Sequence, residues 1–208
     1  MLPGGRRAGN TLLRFTFLGF CDTLFIIIAS WYALSAQSLL DTFEKNLAQL
    51  GVYRAKFTVE IDGYKMAGSY IVDGDDFYAA MEGVEIFVSQ GVKYEVNSST
   101  REVTIDSAAN LGSDILSNPA KGFEVLKEQY SLTQTDVDGL SAIQLTPKSG
   151  GERIIVVADS TGALPKKIVY SDSGAELTIT FTAIHATNAP LPRFDAAKYA
   201  EYEVIDMR

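Results

Sequence analysis

Tyr53-Arg54-Ala55-Lys56-Phe57-Thr58-Val59-Glu60-Ile61, closed by Asp62-Gly63, opens the stretch whose reading decides the fold. Tyr53, Ala55, Phe57, Val59 and Ile61 fall on one side of an extended chain and Arg54, Lys56, Thr58 and Glu60 on the other, as in a strand with one wet face. Between Tyr53 and Asp106 the chain then reverses at Asp62-Gly63, Asp73-Gly74, Glu82-Gly83 and Gln90-Gly91, with apolar, aromatic-rich segments on each side of every reversal. Gly after a polar residue suits a tight hairpin turn, so the stretch reads as an antiparallel meander. Residues 66–72, 77–81, 84–88, 92–96 and 102–105 supply its further strands, with looser alternation.

Outside the meander the period changes. Leu39, Leu40, Phe43, Leu47 and Leu50 recur at three and four residues, which marks an amphipathic helix, and Gly51 is placed to end it. A second helix is expected from Asn118-Pro119 to about Tyr130, with Phe123, Leu126 and Tyr130 as its apolar stripe. Strands return at 142–146, 153–158, 165–171 and 176–183, separated by Lys148-Ser149-Gly150-Gly151, Asp159-Ser160-Thr161-Gly162 and Asp172-Ser173-Gly174. Strands do not alternate with long helices, so a parallel doubly wound sheet is not expected. The expected class is α+β, mainly antiparallel β: an incompletely closed half-barrel of about ten strands with helices covering its concave face.

Residues 1–36 read as a signal peptide. Arg6, Arg7 and Arg14 precede an apolar run from Leu24 to Leu34, with small residues around Ser35 and Ala36, and cleavage is expected near Ala36. The rival is an uncleaved anchor extended back to Phe15, which would bury Asp22 at roughly 2.5–3.5 kcal/mol. Lipidation at Cys21 fits less well, because Phe20 is bulky and the apolar run continues past the cysteine. Residues 37–208 then form a single domain, expected to be monomeric. The whole chain carries a net charge of −8, and the segment that would be removed holds three Arg and one Asp. The remaining body is more acidic still, so nucleic acid and anionic membrane surfaces would repel it.

Motifs of chemistry are not found. The single histidine, His185, stands without a second His, and the body lacks Cys, which leaves neither a zinc site nor a cysteine nucleophile. No Gly-x-Ser-x-Gly elbow or phosphate-binding Gly-rich pattern occurs. Asp73, Asp75 and Asp76 lack the spacing and the glutamate of a calcium loop and read as a solvated turn. No catalytic residue, metal or cofactor is expected, and the apolar sheet face is left as the candidate functional surface.

The order of elements carries a resemblance. A helix, Tyr53-Arg54-Ala55-Lys56-Phe57, a Gly turn, Met66-Ala67-Gly68-Ser69-Tyr70, and Val88-Ser89-Gln90-Gly91-Val92-Lys93-Tyr94-Glu95-Val96-Asn97 together resemble lipoprotein carriers of the LolA type. The segment from Asn118-Pro119 to Tyr130 resembles that family's helix over the sheet. Leu145-Thr146-Pro147-Lys148, Phe194-Asp195 and Glu203-Val204-Ile205-Asp206 resemble its later strand end and C-terminal portion. The resemblance implies a periplasmic carrier that binds lipoprotein acyl chains, receiving its cargo from an inner-membrane ABC-type releasing complex and passing it to an outer-membrane acceptor. It makes Phe57, Val59, Ile61, Met66, Tyr70, Phe77, Met81, Ile86 and Tyr94 candidate groove wall, and Phe123, Leu126 and Tyr130 candidate lid. One departure is plain: the family has an Arg-Pro pair after the second strand whose Arg helps hold the lid, and here the chain reads Asp73-Gly74-Asp75-Asp76-Phe77. The alternative is a cell-envelope interaction module in which the same apolar set is ordinary core.

Overall fold

The computed structural model describes residues 38–111, 121–148, 151–172 and 175–208. The segment 1–36 and the expected helix start at Asn118-Pro119 lie outside the described residues. Helix α1 (38–49) is followed by β1 (Tyr53–Ile61), β2 (Tyr64–Asp73), β3 (Asp76–Met81), β4 (Val84–Ser89), β5 (Val92–Asn97), β6 (Glu102–Ser107) and a short 3-10 turn (Ala108–Asn110). Helix α2 (Gly122–Gln129) leads into β7 (Tyr130–Val137), β8 (Leu140–Pro147), β9 (Arg153–Ala158), β10 (Pro165–Asp172), β11 (Ala175–Ala186) and β12 (Glu203–Asp206). All twelve described strands form one open sheet in the order β12-β6-β5-β4-β3-β2-β1-β11-β10-β9-β8-β7. Only β12 runs parallel to its neighbour.

The meander forms as its turns dictate. Asp62 (φ 50°) and Gly63 (φ 81°) both take left-handed backbone, as do Gln90 (φ 52°) and Gly91 (φ 79°). That pair of positive angles twists a two-residue loop to match the right-handed twist of its strands. Asp138 (φ 54°) and Gly139 (φ 77°) repeat the device between β7 and β8. The half-barrel is expected with about ten strands, and two more are present. Strand β7 is rich in Thr, Gln and Ser and has one sheet neighbour, so its apolar alternation is faint. Strand β12 exposes all four side chains and has no buried face to leave a pattern. The β7 strand also corrects the second helix: α2 ends at Gln129, and Tyr130 begins a strand.

Register fixes which side chains share a face. Gln134, Ile143, Val156, Ile168, Ile179, Val59 and Met66 stand opposite one another across seven neighbouring strands, from β7 to β2. Leu132, Leu145, Ile154, Tyr170, Leu177, Ile61 and Tyr64 form the adjacent row. This inner face meets Leu40, Phe43 and Leu47 of α1 and Phe123 and Leu126 of α2 in the main core. A second cluster, of Phe87, Val96, Val103 and Tyr199 with Tyr78, Tyr94, Ile105, Phe194 and Tyr202, lies on the outer face of β3 to β6 under the C-terminal segment.

Candidate functional site

The inner face gathers most of the side chains singled out in the sequence. Phe57, Val59, Tyr70 and Phe77 are buried in the main core, and Ile61, Met66, Met81 and Ile86 pack against it half-buried. Phe57 lies over Gly68: a Cβ at that position would stand 2.4 Å from the ring, so only glycine admits it. Tyr70 fills the space between Phe57 (5.6 Å between centroids), Tyr53 (6.2 Å) and Phe181 (6.4 Å). Burial pushes the Tyr53 and Tyr70 phenols well above their ordinary range, so both stay neutral.

Tyr94 does not belong to this wall. It pairs with Phe87 across β4 and β5, while Ile86 of the inner face pairs with Glu95. Tyr94 therefore faces outward, where its ring stacks on Phe194 at 4.3 Å. The physical reason is that on β5 Tyr94 and Val96 belong to the outer cluster, and Lys93 and Glu95 take the other side. Sequence alternation alone finds an apolar side without saying which cover it meets. The expected lid is also divided. Phe123 and Leu126 are 4% and 2% exposed beneath α2, whereas Tyr130, on β7, packs half-buried at the margin of the core.

The sequence reading recognised the apolar stripe of α1 and the strands after α2 but did not count their residues as part of the candidate site. Leu40, Phe43 and Leu47 sit on the inner face beside α2, with Phe43 and Phe123 5.9 Å apart. Lys127 of α2 donates to Asp41 Oδ1 at 2.7 Å and to Glu44 Oε2, joining the two helices. Burial works against the Lys127 charge, but the two carboxylates outweigh it and raise its pKa. Lys121, just ahead of α2, pairs with Asp75 in the β2–β3 turn at 3.3 Å. Thus the turn that lacks the Arg of the resembled family meets a lysine from the helix side. The alternating apolar residues of β8 to β11, legible as strands, complete the wall through Ile143, Val156, Ile168 and Ile179.

Where α1, α2 and the β2–β3 turn approach one another, a cleft of about 730 Å³ opens. Leu47, Tyr53, Val72 and Phe123 form its floor, and Glu44, Asp73, Asp75, Glu124 and Lys127 line it as well. The floor residues are members of the main core, so the cleft reaches the covered apolar face. Chemistry is not gathered elsewhere in the same way. His185 is exposed opposite Arg54, and no cluster of His, Cys, Asp and Glu is arranged to hold a metal among the described residues. Asp76 is committed to Arg193 at 2.9 Å and to the Gln90 amide at 3.0 Å, diverging from Asp75.

No family model matches the sequence, and no curated protein sequence matches it significantly. Solved structures do resemble it. An uncharacterized conserved protein from Thermus thermophilus superposes with a TM-score of 0.53 at 14% identity, over 83% of this chain and 99% of that one. A LolA superfamily protein from Nitrosomonas europaea gives 0.41 at 10% identity, over 74% and 94%. LprF from Mycobacterium bovis gives 0.44 at 13%, over 77% and 97%. The fold shared with the Thermus protein is one open, mainly antiparallel sheet covered by helices. At these identities the likeness is one of architecture, and it leaves the function to be argued from the site.

Proposed function

We propose that this protein is a LolA-like carrier that shelters the acyl chains of lipoproteins between its inner sheet face and α2. The observation that supports it most is the cover itself: a continuous apolar face is closed in part by an eight-residue helix whose inward residues are Phe123 and Leu126. Burying a methylene is worth about 0.8 kcal/mol, so a long acyl chain gains roughly 10 kcal/mol. Exposing Phe123 and Leu126 costs roughly 3–6 kcal/mol, whereas stripping Leu40, Phe43 and Leu47 as well would consume about the whole gain. One chain can therefore displace α2 while α1 stays. The same competition lowers net affinity, which a carrier needs in order to release its cargo.

On this reading residues 1–36 export the chain to the periplasm, an inner-membrane ABC-type complex loads it, an outer-membrane acceptor unloads it, and the carrier works as a monomer. The body left after the export segment is more acidic than the whole chain's net charge of −8, which keeps it from lingering on anionic bilayers. The rival envelope interaction module draws on the filled interior, since Leu40, Phe43, Leu126 and Phe77 are all 2% exposed or less. Titration of the purified, delipidated protein with a fluorescent acylated peptide separates the two. A carrier binds saturably, and Leu126→Asp weakens binding at least tenfold; because that variant can unfold, Lys127→Ala is measured beside it and should speed uptake. Folded protein that takes up no acyl peptide favours the module.

A further inference from the structure

The cleft beside α2 has an unbalanced charge. Of its lining residues Glu44, Asp73, Asp75 and Glu124 are acidic and Lys127 alone is basic. The neighbouring cations are already committed: Lys127 to Asp41 and Glu44, Lys121 to Asp75, and Arg193 to Asp76. Glu44 offers Oε2 to Lys127, while its Oε1 is buried with no hydrogen-bond donor. Asp73 and Glu124 form no ion pair among the described residues and stand exposed at the rim. Beneath them the floor is Leu47, Tyr53, Val72 and Phe123. A volume of about 730 Å³ lies within the range of about 300–1,000 Å³ typical of small-ligand sites.

An apolar floor continuous with the main core, under a rim whose carboxylates outnumber its cations, favours a ligand that is greasy at one end and positive where the grease stops. We infer that the cleft receives the junction between acyl chain and peptide of a cargo lipopeptide, and that it selects cargo with a basic residue next to the acylated end. This rests on the carrier reading of the inner face. The alkyl chain would run from the cleft under α2, and the adjacent ammonium would lie among Glu44, Asp73 and Glu124. Acidic residues at the same place in the cargo would meet like charge, which costs affinity and rejects that cargo.

Three palmitoylated peptides that differ only in the two residues after the acylated one, Lys-Lys, Gly-Gly or Glu-Glu, test it. Each is titrated in dilute buffer against the protein expressed with its own N-terminal segment and purified. The Lys-Lys peptide should bind about tenfold more tightly than the Glu-Glu peptide, with Gly-Gly between them. The gap should close in about 0.5 M salt, where exposed charges are screened. Asp73→Asn combined with Glu124→Gln should bring the Lys-Lys and Glu-Glu affinities together. Equal affinities for the three peptides in dilute buffer, or tighter binding of Glu-Glu, overturns the charge selection and leaves the carrier reading standing. Binding of none of them by folded protein overturns both.

Discussion

The sheet is covered on both faces, and the two covers are built differently. On the outer face Phe194 is sandwiched between Tyr94 (4.3 Å, 6° between planes) and Tyr199 (5.6 Å, 8°). Tyr199 and Tyr78 both donate to Glu85 at 2.7 Å, and Lys198 adds a third contact at 3.2 Å. Arg193 closes the segment's other end on Asp76 and Ser89. On the inner face, by contrast, α2 presents Phe123 and Leu126 to the core, and charge contacts of Lys127 and Lys121 tie it to α1 and to the β2–β3 turn. Stacked rings and directional hydrogen bonds fix one geometry, whereas less directional apolar contacts and partly exposed ion pairs can be exchanged for a lipid of similar chemistry. On the proposed carrier reading, the outer cover serves stability and the inner one is the surface that exchanges.

The largest effect that tests this contrast is on the outer side. Tyr199→Ala removes a ring only 5% exposed together with its hydrogen bond to Glu85. It should cost about 3–5 kcal/mol, a fall in Tm of roughly 10 °C by calorimetry. A Tm within a degree or two of the parent would show that the C-terminal segment is a loose flap and dissolve the distinction between the covers. Next comes Gly68→Ala on the inner wall. Its methyl would meet Phe57 at 2.4 Å and force the ring off its site beside Tyr70 and Phe181, costing about 1–3 kcal/mol. Chemical denaturation measures the loss, and no loss would mean the wall at Phe57 yields freely.

These two sites also show what the sequence could and could not reveal. Alternation in Tyr53 to Ile61 identifies the inner side of β1 without ambiguity, because its other side carries Arg, Lys, Thr and Glu. Across β3 to β5 large apolar residues serve both faces, since each face has its own cover, and Tyr94 belongs to the outer one rather than to the expected wall. The signal for the outer cover is present only as the aromatic spacing of Phe194, Tyr199 and Tyr202, in a segment with little regular structure. Strand β7 could have been found from Asp138-Gly139, a turn of the same kind as Asp62-Gly63. The link from Lys127 to Asp41 and Glu44 is not legible, because it joins residues more than eighty apart that only the folded sheet brings together.

Lys127→Ala is the third test and acts on the inner cover alone. Lys127 is 20% exposed and its partners 54% and 31%, so solvent screening limits the loss of stability to about 1 kcal/mol or less. Its kinetic effect should be larger in proportion: acyl peptide should bind faster in stopped flow, by roughly threefold, because α2 lifts with one fewer tie. An unchanged rate would place the barrier in the apolar contacts of Phe123 and Leu126 instead.

The smallest effect is the response to acid, and it should fall on the outer cover. Burial works to raise the carboxyl pKa of Glu85, but donation from Tyr199, Tyr78 and Lys198 outweighs it and holds the group below its ordinary value. Asp76 is likewise held down: burial is outweighed by Arg193, the Gln90 amide and Ser89 acting together. A carboxylate whose pKa is lower folded than unfolded lends stability that is fully present above its unfolded pKa, near about 4, and is lost as pH falls through the folded value. The urea midpoint should therefore decline below about pH 4, and part of that decline should vanish in Glu85→Gln, which cannot titrate. Lys127, with its pKa raised, keeps its charge throughout this range. If Glu85→Gln lost stability in acid as steeply as the parent, the acid-sensitive contact would lie elsewhere than at Glu85, and the pair of Arg193 with Asp76 at the segment's other end would be the next to test.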